Sequence, residues 1–278
     1  MRELLEKICM GNDLTRAESA AVFEAIVSGS IGDAGMGALL AALRTKGESP
    51  EDIAGAAEAM LRHAVPVECP GLDLCDNCGT GGDGAGTMNI STAAAVVASE
   101  AGLKVAKHGN RSVSSGCGSA DVLELCGVKI DALVGTVSRN LREAGICFIF
   151  APLYHPGMKH AMPVRKALGI RTIFNVLGPI INPARPRYQL MGVYDPSLCL
   201  PIAKTLRMLG RTAAIVVHGS GLDELALHGE SRCAVLKDGN ITEMTVDPES
   251  AGLVRAPIQA LRGGDARVNA AKMKEILA

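Results

Sequence analysis

The chain has 278 residues, enough for one large α/β domain with a smaller companion, and two domains are expected. Its 28 basic and 29 acidic residues nearly cancel, with a pI near 6.6, so no global field draws it to nucleic acid or a membrane surface. Three Tyr, four Phe and no Trp leave little for base stacking, and the longest apolar runs, 93–98 and 146–152, are far too short to cross a bilayer. Acidic residues stand near the N-terminus where a signal peptide would be apolar, so a cytoplasmic protein is expected.

Residues 1–64 read as four short helices. Met1, Leu4, Leu5 and Ile8 recur at helical spacing, and Thr15-x-x-Glu18 has the form of a capping box ahead of Phe23, Ile26 and Val27. Asp33 is a candidate cap for the segment holding Met36, Leu39, Leu40 and Leu43, and Ser49-Pro50-Glu51-Asp52 opens the fourth helix with Pro at its first position. The block carries no evident catalytic residue. Small residues such as Ala20, Ala21, Gly35 and Gly37 allow close helix approach, which suits a subunit interface. Val65-Pro66 and Cys69-Pro70-Gly71 break the pattern and mark a boundary, with 1–66 as a helical unit.

Beyond Leu72 strands alternate with helices, the pattern of a mostly parallel sheet. Strands are expected at 103–106, 128–130, 146–151, 189–194 and 213–218, and a hairpin over 226–246 turning at Asp238-Gly239. Helices are expected at 132–143, capped by Asp131, and at 155–169, 198–209 and 265–277. Residues 173–183 read as an irregular apolar, Pro-rich connection, so that part of 155–183 joins the helical unit. The expected fold is α/β: a small N-terminal helical domain plus a larger domain, 71–278, with a mostly parallel central sheet flanked by helices.

The chemistry concentrates between Asp76 and Glu124, in DNCGTGGDGAGTMNISTAAAVVASEAGLKVAKHGNRSVSSGCGSADVLE. Gly79, Gly81, Gly82 and Gly84 free the backbone for positive φ and for a ring of N–H groups around an anion. The loop runs into Asn89-Ile90-Ser91-Thr92, where Ser91 or Thr92 is a candidate helix cap. A second unit ends in Lys107-His108-Gly109-Asn110-Arg111 and a Ser/Gly-rich loop, so the pair suits a ligand with more than one phosphate. The glycines also match G-x-G-x-x-G and also suit a plain turn. A dinucleotide site, however, would want an acid where this chain has Lys107 and His108.

A second constellation is Asp223-Glu224 in a Gly-rich turn. Adjacent loop carboxylates suit Mg²⁺, and they equally suit a solvated acidic turn. Of nine cysteines only Cys75-x-x-Cys78, with Cys69 upstream, forms a cluster, and no further ligands complete a zinc set, so buried free thiols are expected.

The blocks GTGGDG, NIST, KHGNRSVSS and GSADVLE, followed by APLYHPGMKHAMPVRKALGIRTIFNVLGP, INPARP, QLMGVYDP and HGSGLDEL, closely resemble the anthranilate phosphoribosyltransferase family, whose fold is shared with pyrimidine nucleoside phosphorylases. The resemblance covers nearly the whole chain. It implies transfer of the phosphoribosyl group of phosphoribosyl pyrophosphate to the amine of anthranilate, with one or two Mg²⁺ ions and a homodimer through the helical domain. Carried over position by position, the phosphoribosyl pyrophosphate site comprises Gly79, Gly82, Asp83, Thr87, Asn89, Ile90, Ser91 and Thr92 of the first unit. From the second come Lys107, His108, Gly109, Asn110, Arg111, Ser112, Val113, Ser114, Ser115 and Ser119. Gly79, Asn110 and Arg165 face the acceptor, with Arg165 matching the carboxylate anchor, and Ser91, Asp223 and Glu224 hold the metal.

An aryl amine is neutral at pH 7, so no residue is assigned as general acid or base. Gly116 and Met88 depart from the residues frequent in the family, and relatives usually continue past GGDARVNAAKMKEILA, so the chain reads as short at its C-terminus. The rival readings are a pyrimidine nucleoside phosphorylase and a non-catalytic nucleic-acid-binding homologue. The latter calls for a basic surface and loss of the Asp-Glu pair, neither of which this sequence has.

Overall fold

The computed structural model describes residues 1–112 and 116–278. Four helices open the chain: α1 (Arg2–Cys9), α2 (Arg16–Val27), α3 (Asp33–Lys46) and α4 (Pro50–Arg62). The expected capping box at Thr15 forms, and a second one stands at Ser49. The Thr15 side chain accepts from the Glu18 N–H, and Ser49 accepts from Asp52 N–H while Asp52 returns the bond to Ser49. Asp33 is not a cap: Gly32 holds that position, and Asp33 lies one residue inside the helix. Thr15→Ala should cost about 1 kcal/mol in urea unfolding, the usual worth of such a cap.

The remainder alternates strand and helix. In order come β1 (Leu74–Asp76), α5 (Ile90–Glu100), β2 (Lys104–Gly109), α6 (Ser119–Leu125), α7 (Val134–Glu143) and β3 (Ile146–Phe150). Then follow α8 (Ala151–Tyr154), α9 (Met158–Leu168), α10 (Phe174–Ile180), β4 (Tyr188–Gly192), α11 (Cys199–Met208), β5 (Ala213–Gly219), β6 (Ser231–Lys237), β7 (Asn240–Val246) and α12 (Ala266–Leu277). The seven strands lie in the order β3-β2-β1-β4-β5-β6-β7. β3, β2, β1, β4 and β5 are mutually parallel, and β6 and β7 add an antiparallel edge. The β6–β7 hairpin turns at Asp238 and Gly239, both at positive φ, which matches the right-handed twist of a strand pair.

Four further local expectations are corrected. Residues 128–130 form no strand: after Gly127 at φ 88° the chain turns, Val128 stays 40% exposed, and only Ile130 is buried. Helix α7 begins after Leu133 with no side-chain cap, so Asp131 caps nothing. Ser91 and Thr92 lie in the first turn of α5, whose cap position is Asn89.

Residues 173–183, finally, contain helix α10 despite Pro179. Phe174, Val176, Leu177 and Ile180 are buried there, and outside groups take up the last-turn carbonyls: Gln189 Nε2 donates to Pro179 O at 2.8 Å and Arg211 Nη2 to Ile180 O at 3.1 Å. Burial and satisfied carbonyls outweigh the proline.

Helices α1 to α4, α9 and α10 share one continuous core with α11 and the inner faces of β4, β5 and β6, including Phe23, Leu40, Ile53, Leu177, Met191 and Val216. A second core fills the other end of the sheet, with Ala106, Leu141 and Ile149. A third, small one joins α5, α6 and α12 through Ala93, Val122, Ala270 and Met273.

Candidate active site

The chain leaves β1 for β2 on one side, and later enters β4 on the other, so the strand order reverses between β1 and β4. In an open α/β sheet the crevice at the carboxyl ends of such strands is where ligands bind. The loop after β1 carries Gly79 to Gly84, Asn110 to Ser112 follow β2 with Gly116 to Gly118 leading into α6, and the loop after β5 carries Asp223 and Glu224. All three leave the same edge of the sheet.

The first loop is held by the third. Gly81 N–H donates to Asp223 Oδ2 at 2.6 Å, and Ser91 N–H to Glu224 Oε1 at 3.1 Å. Gly81, Gly82, Gly84 and Gly86 sit at φ between 64° and 76°, which only glycine adopts without strain. At Gly79 a Cβ would lie 2.6 Å from Asp223 Oδ2, so glycine is needed there for close approach. Thr80 N–H donates to Gly192 O at 2.9 Å, tying the loop to the end of β4. Arg171, stacked over the Tyr194 ring at 4.2 Å, donates to Gly82 O at 2.6 Å. Asp83 turns one oxygen to Ala85 N–H and the other to Asp223 N–H, so it faces the carboxylate pair.

The electrostatics of that pair are unusual. Burial first, then the neighbouring Asp223, pushes Glu224 up to about 7, while Lys107 and the N–H and hydroxyl of Ser91 pull it back. Asp223 is raised as well, by burial and then by Asp83, against the Gly81 N–H. Two partly buried carboxylates with a third facing them form a site short of positive charge. Lys107, 4% exposed, is the cation directed there, and its Nζ donates to Asn77 Oδ1 at 3.1 Å. Among the described residues no three His, Cys, Asp or Glu side chains form a ready-made metal cage.

Elsewhere in the expected set, Ile90 opens α5, and Thr92 is buried with no partner for its hydroxyl. Thr87 pairs in a single antiparallel bridge with Arg262. Gly109 packs too closely on Ser119 and Phe148 for any larger residue. Arg111 is occupied in ion pairs with Asp121 at 2.8 Å and Glu124 at 2.9 Å. Ser112 N–H donates to Asp121 at 3.2 Å, and Ser119 Oγ to Asn110 O at 3.4 Å. The expected contacts of Val113, Ser114 and Ser115 fall outside the described residues.

His108 is buried, with Nδ1 2.9 Å from Gly178 O and its Nε2 unpartnered. It meets His155 edge to face at 5.3 Å, and burial lowers the two to about 3 and about 4. Arg165 lies on α9 over the Phe174 ring at 5.1 Å, partly buried, with no carboxylate partner among the described residues. Its environment suits a guanidinium kept for an external anion.

Sequence reasoning passed over Asn77, Arg171, Asn182 and Asn269. Asn182 sits fully buried between Asp76 and Ala106 and holds the end of β1 against β2. These residues lie outside the glycine and hydroxyl motifs, so only proximity in the folded chain brings them out.

Residues 71–278 match the family described as glycosyl transferase family, a/b domain, and residues 2–64 match its helical bundle domain. Anthranilate phosphoribosyltransferase of Sorangium cellulosum (strain So ce56) is 51% identical over 278 residues, covering 100% of this chain and 80% of the relative. The Aeromonas hydrophila enzyme of the same name is 51% identical over 277 residues, covering 100% of this chain and 81% of that one. The chain belongs to the anthranilate phosphoribosyltransferase family. The crystal structure of anthranilate phosphoribosyltransferase from Thermus thermophilus superposes with a TM-score of 0.92 at 43% identity, covering 98% of this chain and 81% of that one. The Saccharomyces cerevisiae enzyme in complex with PRPP and Mg gives 0.83 at 30% identity, covering 94% and 75%. The α/β fold with its N-terminal helical domain is thus that of the anthranilate phosphoribosyltransferases.

Proposed function

We infer that this protein transfers the phosphoribosyl group of phosphoribosyl pyrophosphate to the amine of anthranilate, giving N-(5-phosphoribosyl)anthranilate and pyrophosphate, a step of tryptophan biosynthesis. The observation that carries the reading is the junction of the glycine loop with Asp223 and Glu224 at the switch point of the sheet. Glycine N–H groups and Lys107 suit the phosphates, and Asp83 suits orientation of the ribose hydroxyls. Arg165 and Asn110 suit the acceptor, with the Arg165 guanidinium directed to its carboxylate.

Ser91, Asp223 and Glu224 would hold Mg²⁺, and their oxygen set and uncompensated negative charge fit a hard cation. When bound, it supplies positive charge against the departing pyrophosphate. The residues themselves position and screen. The amine nitrogen forms a bond to C1 of the ribose as the C1–oxygen bond to pyrophosphate breaks, and the amine proton passes to solvent. Positioning and charge stabilisation then account for the rate.

The division at 66–71 and the return of part of 155–183 to the helical unit belong to this reading, as do a homodimer through the helical domain and a cytoplasmic location. Among the described residues no helix is long and apolar enough to cross a membrane.

Anthranilate fluorescence tests the inference. Added phosphoribosyl pyrophosphate and Mg²⁺ should together consume it, and neither should do so alone. Phosphorolysis of uridine or thymidine with no consumption of anthranilate would overturn the reading.

A further inference from the structure

The first phosphate loop is not held by the sheet alone. The segment before α12 pairs with it: Met88 N–H donates to Leu261 O at 2.9 Å, Gly263 N–H to Gly86 O at 2.8 Å, and Thr87 bridges Arg262. A Cβ on Gly263 would stand 2.6 Å from Thr87 O, so the two backbones touch. From the first turn of α12, Asn269 reaches into the same place and is 3% exposed. Its Oδ1 accepts from Gly264 N–H at 2.8 Å, and its Nδ2 donates to Asn89 Oδ1 at 3.0 Å. The Asn269 amide also lies against the Cys117 thiol of the second loop, and Asn89 Nδ2 is 3.5 Å from Cys117 O.

These bonds have a direction. A backbone N–H can only donate, so Gly264 forces the carbonyl end of the Asn269 amide toward itself and the NH₂ end toward Asn89. Asn89 must then answer with its own carbonyl oxygen. Its NH₂ is left facing the second loop, where one N–H donates to Cys117 O at 3.5 Å and the other is of the polarity that an anion between the two loops requires. We propose that Asn269 is a positioning residue of the anion site, orienting the Asn89 amide so that its donor face is presented between the phosphate loops. The proposal rests on the phosphoribosyltransferase reading only for its ligand; the orientation follows from the hydrogen bonds.

Asn269→Asp and Asn269→Ala separate this from simple packing. Asp preserves the shape and the bond from Gly264 but places an oxygen against Asn89, whose amide must flip and turn its carbonyl toward the anion. Ala removes this constraint and leaves Asn89 oriented only by its long bond to Cys117 O. Inorganic pyrophosphate with Mg²⁺, titrated calorimetrically, is the probe, and steady-state KM for phosphoribosyl pyrophosphate and for anthranilate is measured alongside. Asn269→Asp should weaken pyrophosphate binding by about tenfold or more. Asn269→Ala should weaken it less, and KM for anthranilate should change less than KM for phosphoribosyl pyrophosphate in both. If Asp is closer to the parent than Ala, the residue only fills space and the proposal fails.

A second arm holds should Asn269→Asp fold poorly. In a cycle of Asn89→Ala, Asn269→Ala and the double variant, the double should bind pyrophosphate like Asn89→Ala alone, since Asn269 acts through Asn89. Additive losses would overturn the proposal. Because the titration needs no turnover, absence of anthranilate consumption by the parent would count against the reaction and leave the test of Asn269 intact.

Discussion

Turnover of anthranilate is expected to fall by about 10²–10³-fold or more when Asp223 and Glu224 are both replaced by alanine, measured as steady-state rate at saturating Mg²⁺. The reading assigns the chemistry to charge placement, and these carboxylates are the negative groups that the fold buries at the phosphate loop. No histidine is comparable: His108 is held neutral by burial and bonded to Gly178 O. A His108→Ala variant that lost as much activity as the double carboxylate variant would sink this account.

The pH dependence of stability should change in the same double carboxylate variant. Glu224 titrates at about 7 in place of its ordinary 4.5, so the folded protein binds that proton more tightly than the unfolded chain does. Its contribution therefore falls as pH rises through the window from 4.5 to about 7. His108 and His155 are lowered from 6.5 to about 3 and about 4, so there the unfolded chain binds protons more tightly, and stability is lost as pH falls below 6.5. In the parent the two slopes oppose each other. Removing both carboxylates takes away the Glu224 slope, together with the acceptors of the Gly81 and Ser91 N–H groups, and leaves the histidine slope uncovered. Urea unfolding of the variant should then weaken more steeply than the parent's on acidification to about pH 5. A variant whose stability fell on acidification no more steeply than the parent's would contradict the raised Glu224 titration.

Gly192→Ala should destabilise the protein by about 3 kcal/mol in urea unfolding and reduce activity together with stability. Gly192 ends β4, its carbonyl accepts from Thr80 N–H, and a Cβ there would overlap the Asp223 carbonyl. Strand, glycine loop and acidic turn meet at that one residue. The added methyl must push residue 223 away, which also displaces the carboxylate that receives Gly81 N–H. Pyrophosphate and Mg²⁺ binding should weaken in the same variant. Unchanged binding in a protein of parental stability would show that the turn can move without cost.

Much of the site was legible beforehand because its chemistry needs particular residue types at short spacing. Gly79 to Gly84, Ser91, Lys107 and the Asp223-Glu224 pair were each named from the residues or the resemblance, and the fold brings them to one sheet edge. The capping box at Thr15 and the helix start at Ser49-Pro50 were equally legible, since a cap is a contact between residues three apart. The errors lay where burial decides. Residues 128–130 have the apolar content of a strand but leave Val128 exposed and bury only Ile130, and 173–183 look broken by proline but are rescued by Gln189 and Arg211 donating to the last-turn carbonyls.

Sequence by itself therefore determined the alternation of elements, the phosphate loops and the acidic turn, because propensity, glycine conformation and local hydrogen bonding act over a few residues. Only the tertiary structure decided that Asp223 and Glu224 face Gly81 and Ser91, that Arg111 is tied up with Asp121 and Glu124, and that Asn269 reaches Asn89 across the fold. Those relations join residues far apart in the chain, and the strength of each comes from burial and removal of water, which exist only once the sheet and its helices have closed together.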